Sequence, residues 1–148
     1  MTRLRYVFLI LVIASSFGGC TAKDDEIPIR MVDPWVRATS PGQNSTAGYV
    51  EFHSRVPVKL IQVTSPQAGS VQIHTMYHDN GVMRMDELAV LGIPANQTVK
   101  LEPNHMHFML SDLKAPLVAG DDATLSFTFE LADKSTLQLN ALAEVRVQ

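Results

Sequence analysis

"SVQIHTMYHDNGVMRM", residues 70–85, reads as two strands folded about a turn. Val71, Ile73 and Tyr77 alternate with His74, Met76 and His78, the period of two that a half-buried strand imposes. Asn80-Gly81 then supplies the two positive-φ residues of a type I′ hairpin turn. That turn fixes a register in which Asp79 faces Val82, His78 faces Met83 and Met76 faces Met85, with His74 diagonal to Met85. His74, Met76, His78, Met83 and Met85 therefore project from one side. Val71, Ile73, Tyr77 and Val82 take the other, the expected core side. Arg84 and Asp86 fit that side poorly, which places the second strand at a bulge or an edge.

The same short-period pattern runs through the rest of the chain, and no amphipathic helical stretch of useful length interrupts it. Candidate strands are "WVRAT", "AGYVEFH", "VKLIQVT", "QTVKLE", "HMHFML", "ATLSFTFEL" and "TLQLNALAEVRV", besides the two of the hairpin. They are separated by the turn signals "SPGQN", "SPQAG", "DNG", "GIPAN", "EPN" and "AGDD". Short strands at such spacings form an all-β sandwich. Its core is expected to hold Trp35, Tyr49, Phe52, Phe108, Phe127 and Phe129.

One domain fits the length of 148 residues, with an appendage in front. Arg3 and Arg5 precede the apolar run "YVFLILVIA" and the small residues "SSFGGC". The run is shorter than the roughly 20 residues of a membrane span, so residues 1–20 read as a signal peptide of an exported protein. Gly18-Gly19-Cys20 resembles a bacterial lipobox, with Phe17 where that motif usually has Leu, and Cys20 is the expected lipidation site. Residues 21–30 are polar and acidic, a spacer before a domain over 31–148. Cys20 is the only cysteine, so no disulfide framework exists and the fold rests on its core. Loss of residues 1–20 removes two arginines and no acid, leaving 10 basic and 15 acidic residues, a formal charge of −5. That balance speaks against nucleic acid as a partner. Asn44-Ser45-Thr46 and Asn96-Gln97-Thr98 match the glycosylation sequon, which short sequences satisfy by chance.

Residues 74–85 and 105–110 together hold four of the five histidines and five of the seven methionines. In the second segment His105, His107 and Met109 alternate with Met106, Phe108 and Leu110, again dividing ligand-type from apolar side chains. A single methionine in a strand is ordinary packing, and a single histidine an ordinary surface residue. Two segments that each segregate His and Met to one face point instead to a metal. Thioether sulfur is a soft donor suited to Cu(I), whereas zinc is held by thiolate, imidazole and carboxylate. A blue-copper electron-transfer site needs a cysteine thiolate, and no cysteine follows position 20.

The spacing His74, ten residues, Met85, twenty-one residues, His107, one residue, Met109 reproduces the HX10MX21HXM signature of the periplasmic PCuAC-type copper chaperones. "DPWVRATSPGQNSTAGYVEF", "GVMRM" and "HFMLSDLKAPLVAGD" are similar to that family's opening strands and metal-bearing core, so the resemblance spans about residues 31–147. It implies a cupredoxin-like, Ig-like Greek-key β-sandwich binding Cu(I) through His74, Met85, His107 and Met109. It also implies delivery to the copper A centre of cytochrome c oxidase, with that copper-bearing subunit and a thioredoxin-like copper chaperone as partners. Met76 is a candidate auxiliary ligand; His78, Met83 and His105 are neighbours, and His53 is expected to be an ordinary surface histidine. The His- and Met-rich tail of some relatives is missing from the ending "LAEVRVQ".

The expected place is the periplasm, on a lipid anchor. A periplasmic copper store or resistance protein would use the same site, and a metal-free interaction module the same sandwich. No Ser-His-Asp set or open zinc site suggests an enzyme.

Overall fold

A computed structural model describes residues 27–148. Residues 1–20 with Cys20, and the first part of the spacer, lie outside the described residues. Ten strands follow: β1 (Ile29–Arg37), β2 (Ser45–Ser54), β3 (Val58–Thr64), β4 (Ser70–Asp79), β5 (Val82–Glu87), β6 (Leu91–Ile93), β7 (Gln97–Leu101), β8 (His107–Ser111), β9 (Asp122–Glu130) and β10 (Thr136–Arg146). β1 thus begins two residues ahead of the expected domain start, because Ile29 is buried and pairs with Ser54.

Hydrogen bonding runs β5-β4-β8-β2-β1-β10-β9-β3-β6, with β7 also beside β2. The path folds back on itself. Phe52 on β2 meets Phe127 and Phe129 on β9 at 5.6 and 5.7 Å between ring centroids, although β2 and β9 share no hydrogen bonds. Phe108 on β8 meets Phe127 at 5.5 Å. The inner faces of two layers therefore interlock through four fully buried phenylalanines, the all-β sandwich expected from the alternation.

Three expectations about the core need correction. Trp35 is only half-buried, and lies on the outer face against the Tyr49 ring at 4.3 Å. The pairing of β1 with β2 shifts between Val32 and Trp35, and Asp33 takes a φ of 47°. That extra residue reverses the alternation, so Val36 points inward and Trp35 outward. Tyr49 is buried, but beneath Trp35 on the outer face rather than in the interior cluster. Tyr77 and Val82 are exposed, because β4 pairs with β8 only as far as His74 and the rest of the hairpin has no second layer beneath it. A short strand, β6, also lies where the sequence suggested a turn, and buries Leu91 and Ile93.

The hairpin register is as expected: Met76 pairs with Met85, His78 with Met83 and Asp79 with Val82. Asn80 and Gly81 take φ of 50° and 81° at the turn. β5 is an edge strand, exposed along its whole length. At the other end of β4, Gly69 donates its N–H to the carbonyls of Ser111 and Asp112, both at 2.9 Å, and locks β4 to β8. A Cβ on Gly69 would stand 2.8 Å from Cβ of Asp112. Gly69→Ala should therefore cost about 1–3 kcal/mol of stability, read as a lower urea midpoint, because a backbone-anchored neighbour has to move.

Candidate metal centre

β7 and β8 lie end to end along β2, and the interruption between them shapes the site. The Met106 carbonyl accepts a hydrogen bond from the Glu102 N–H at 2.9 Å, closing a loop in which Asn104 has a φ of 68°. β8 then starts at His107, paired with His74 on β4, while Met109 pairs with Gln72 on β4 and Ala47 on β2. Residues two apart on a strand share a face, so His74, Met76, His107 and Met109 all stand on the outer side of this layer. β5 adds Met85 from across the hairpin.

The side chains converge. Nδ1 of His74 lies 2.9 Å from Sδ of Met85. The rings of His74 and His107 stand edge to face, 5.7 Å apart at 79°. Nitrogen and sulfur donors on one tetrahedral ion, at about 2.0 and 2.3 Å by the zinc values, sit about 3.5 Å from each other. A movement of about half an ångström opens the His74 and Met85 pair to that separation. His107 directs Nδ1 at the His105 carbonyl, 3.2 Å away. With the proton on Nδ1, its Nε2 lone pair is left for a metal, the arrangement that orients ligating histidines.

A cleft of about 250 Å³ is lined by Met76, Met85, His107 and Met109 together with Arg37, Thr46, Tyr49 and Asn104 among others, and His74 meets it through Met85. Exposure is graded across it: His107 is 5% exposed and Met85 is 45% exposed. An ion held here is fixed from below and approachable from the Met85 side. A larger groove of about 500 Å³, lined by Pro57, Val58, Ile93, Pro94 and Leu131 among others, carries no histidine or methionine. The chemistry and this larger groove are therefore in different places.

The other histidines do not join. His53 is hydrogen-bonded to Glu51 and to Thr98, a surface network on β2 and β7 as expected of it. His105 is exposed on the loop and contributes its backbone carbonyl to His107. His78 and Met83 lie further along the hairpin. Among the described residues no three His, Cys, Asp or Glu side chains are grouped to hold a metal, so the thioethers are needed to complete any centre.

Sequence reading did not single out Arg37 or bring Tyr49 to this site. Arg37 Nη2 donates to the Tyr49 hydroxyl at 3.1 Å, and the Arg37 carbonyl accepts from Thr46 Oγ1 at 2.7 Å. Only the pairing of β2 between β1 and β8 makes them neighbours of the methionines.

Burial first, then the neighbouring His107, holds His74 below the ordinary histidine pKa, against the opposing pull of Glu87. As pH falls the unfolded chain therefore takes up this proton before the folded one. The stability due to neutral His74 is present above the unfolded value of about 6.5 and is lost as pH falls through the folded value. Metal-free protein should lose stability on acidification into this range, and His74→Gln should flatten that part of the profile in urea titrations.

Fold and cleft together define a small β-sandwich domain that presents a soft-donor cluster on one sheet face. The chain belongs to the LpqE-like family, whose model matches residues 29–141. Lxx21020 of Leifsonia xyli subsp. xyli, described as "Putative lipoprotein", is 34% identical over 145 residues, covering 91% of this chain and 86% of its own. RP573 of Rickettsia prowazekii, which has no described function, is 28% identical over 117 residues, covering 72% of this chain and 65% of its own. Among solved structures, the copper-bound PCuAC domain from PmoF2 has a TM-score of 0.61 at 22% identity, covering 80% of this chain and 94% of that domain. The Cu(I) form of DR1885 from Deinococcus radiodurans has a TM-score of 0.60 at 29% identity, covering 86% and 85%. The fold is that of PCuAC domains, cupredoxin-like and Ig-like.

Proposed function

We propose that this chain is a copper chaperone that binds one Cu(I) through His74, Met85, His107 and Met109, with Met76 as an auxiliary ligand. The observation that carries the reading is the convergence of His74 Nδ1 and Met85 Sδ beside a His107 whose Nδ1 is already committed to a carbonyl. Four neutral donors, two of them thioethers, suit a soft monovalent ion. The copper-bound PCuAC domain and the Cu(I) form of DR1885, which share the fold, support the same cargo.

Transfer follows from the exposure gradient. An acceptor donor displaces exposed Met85 first, Met109 and His74 follow, and buried His107 releases last. The ion is bound at every step and stays monovalent, so the process is ligand exchange rather than substrate turnover. The acceptor in this proposal is the copper A subunit of cytochrome c oxidase, with a thioredoxin-like chaperone beside it, in the periplasm. Cys20, if lipidated, confines the domain to a membrane surface, a reading that accords with the lipoprotein description of its Leifsonia relative.

Mixing the Cu(I)-loaded domain with the metal-free oxidase copper domain under anaerobic conditions tests the assignment. Transfer faster than release to buffer supports a chaperone. Retention of the ion by this chain would identify a store instead.

A further inference from the structure

The hairpin is longer than the copper reading requires. β4 pairs with β8 only up to His74 opposite His107, then continues to Asp79 with β5 as its sole hydrogen-bonded neighbour among the described residues. The two faces of that free length differ. On one, the Tyr77 hydroxyl donates to Asp86 at 2.8 Å and Arg84 Nε donates to Asp79 at 2.8 Å. On the other stand His78 and Met83, directly opposite each other, one row beyond Met76 and Met85. His78 is exposed and makes no hydrogen bond or ion pair among the described residues. Met83 is 43% exposed, so its thioether packs against no core.

We propose that His78 and Met83 form an outer Cu(I) site at the hairpin tip, where the ion lands before it reaches the inner centre. Opposed residues in an antiparallel pair have Cβ atoms about 4.5–5.5 Å apart, so an imidazole nitrogen and a thioether sulfur reach a common point between them. Cu(I) is the fitting ion, since the pair offers one borderline and one soft donor and no oxygen. Successive rows on one strand face lie about 7 Å apart. The flexible side chains of Met76 and Met85 span that step, so copper moves from the tip pair to the methionine pair and then to His74 and His107. At each step one Cu–S or Cu–N bond forms as another breaks, and the oxidation state does not change. The second face of the hairpin is zipped by polar bonds, while the tip row of His78 and Met83 makes none among the described residues.

The inference rests on the copper reading, and one experiment separates the two. Cu(I) is titrated anaerobically into the domain while histidine ring and methionine methyl NMR signals are followed, for wild type, for His78→Ala with Met83→Leu, and for Met83→Leu alone. Both positions are exposed, and amide spectra of the metal-free variants verify the fold. The expected result is a first equivalent that shifts His74, His107 and Met109, and a weaker second equivalent that shifts His78 and Met83. The double variant keeps the first, loses the second, and loads its inner centre from chelator-held Cu(I) several-fold more slowly. A first equivalent with unmoved His78 and Met83 signals at two equivalents overturns the outer site alone. No first equivalent overturns both readings, and a second equivalent at His53 or His105 overturns the outer site.

Discussion

His107→Ala is expected to weaken Cu(I) binding by at least about a hundredfold, more than the roughly 10–100-fold lost when a residue that merely supports a ligand is removed. His107 is the most buried of the four proposed ligands, sits between β4 and β2, and has its ring orientation set by the His105 carbonyl. Its loss leaves the ion on the exposed side of the cleft. Met85→Ala should cost less, about tenfold, because Met85 is 45% exposed and Met76 stands directly across the hairpin to replace its sulfur. Anaerobic competition against a chromogenic Cu(I) chelator measures both. Equal losses for the two variants would contradict the exposure gradient on which the transfer order depends.

Phe52→Ala should destabilise the domain by about 3–5 kcal/mol. The ring is fully buried and meets Phe108, Phe127 and Phe129 edge-on at 6.4, 5.6 and 5.7 Å. It therefore touches both layers, and its removal leaves a cavity that no single strand can close. No disulfide offsets the loss, since the chain has a single cysteine. Urea denaturation measures the change, and a drop of that size is a large share of the 5–15 kcal/mol typical of a whole domain. A loss below about 1 kcal/mol would mean that the layers do not meet at Phe52.

The parts of this molecule that were legible from the sequence are those set by neighbours in the chain. Asn80-Gly81 determines the hairpin, and the alternation of His74, Met76 and His78 with Ile73 and Tyr77 determines its faces. What depends on distant pairing was not legible. The bulge that turns Trp35 outward follows from the pairing of β1 with β2, and no glycine marks it. Tyr77 and Val82 have the alternation of core residues, yet whether a strand face is covered depends on where β8 begins, 25 or more residues away. β6 is three residues long, too short for a periodic signal.

The site shows the same division. His74 and Met85 belong to one hairpin, and His107 and Met109 to one strand, so each pair was readable. Their meeting depends on the His74 and His107 register across β4 and β8, which Gly69 helps to hold. Arg37 and Tyr49 enter the cleft only through the order β8-β2-β1.

The most direct test of the proposed centre is X-ray absorption at the copper edge on the domain loaded with one equivalent of Cu(I). The account predicts a monovalent edge with two nitrogen scatterers at about 2.0 Å and two sulfur scatterers at about 2.3 Å. A first shell of nitrogen and oxygen alone would remove Met85 and Met109 from the centre, and with them the soft-metal reading.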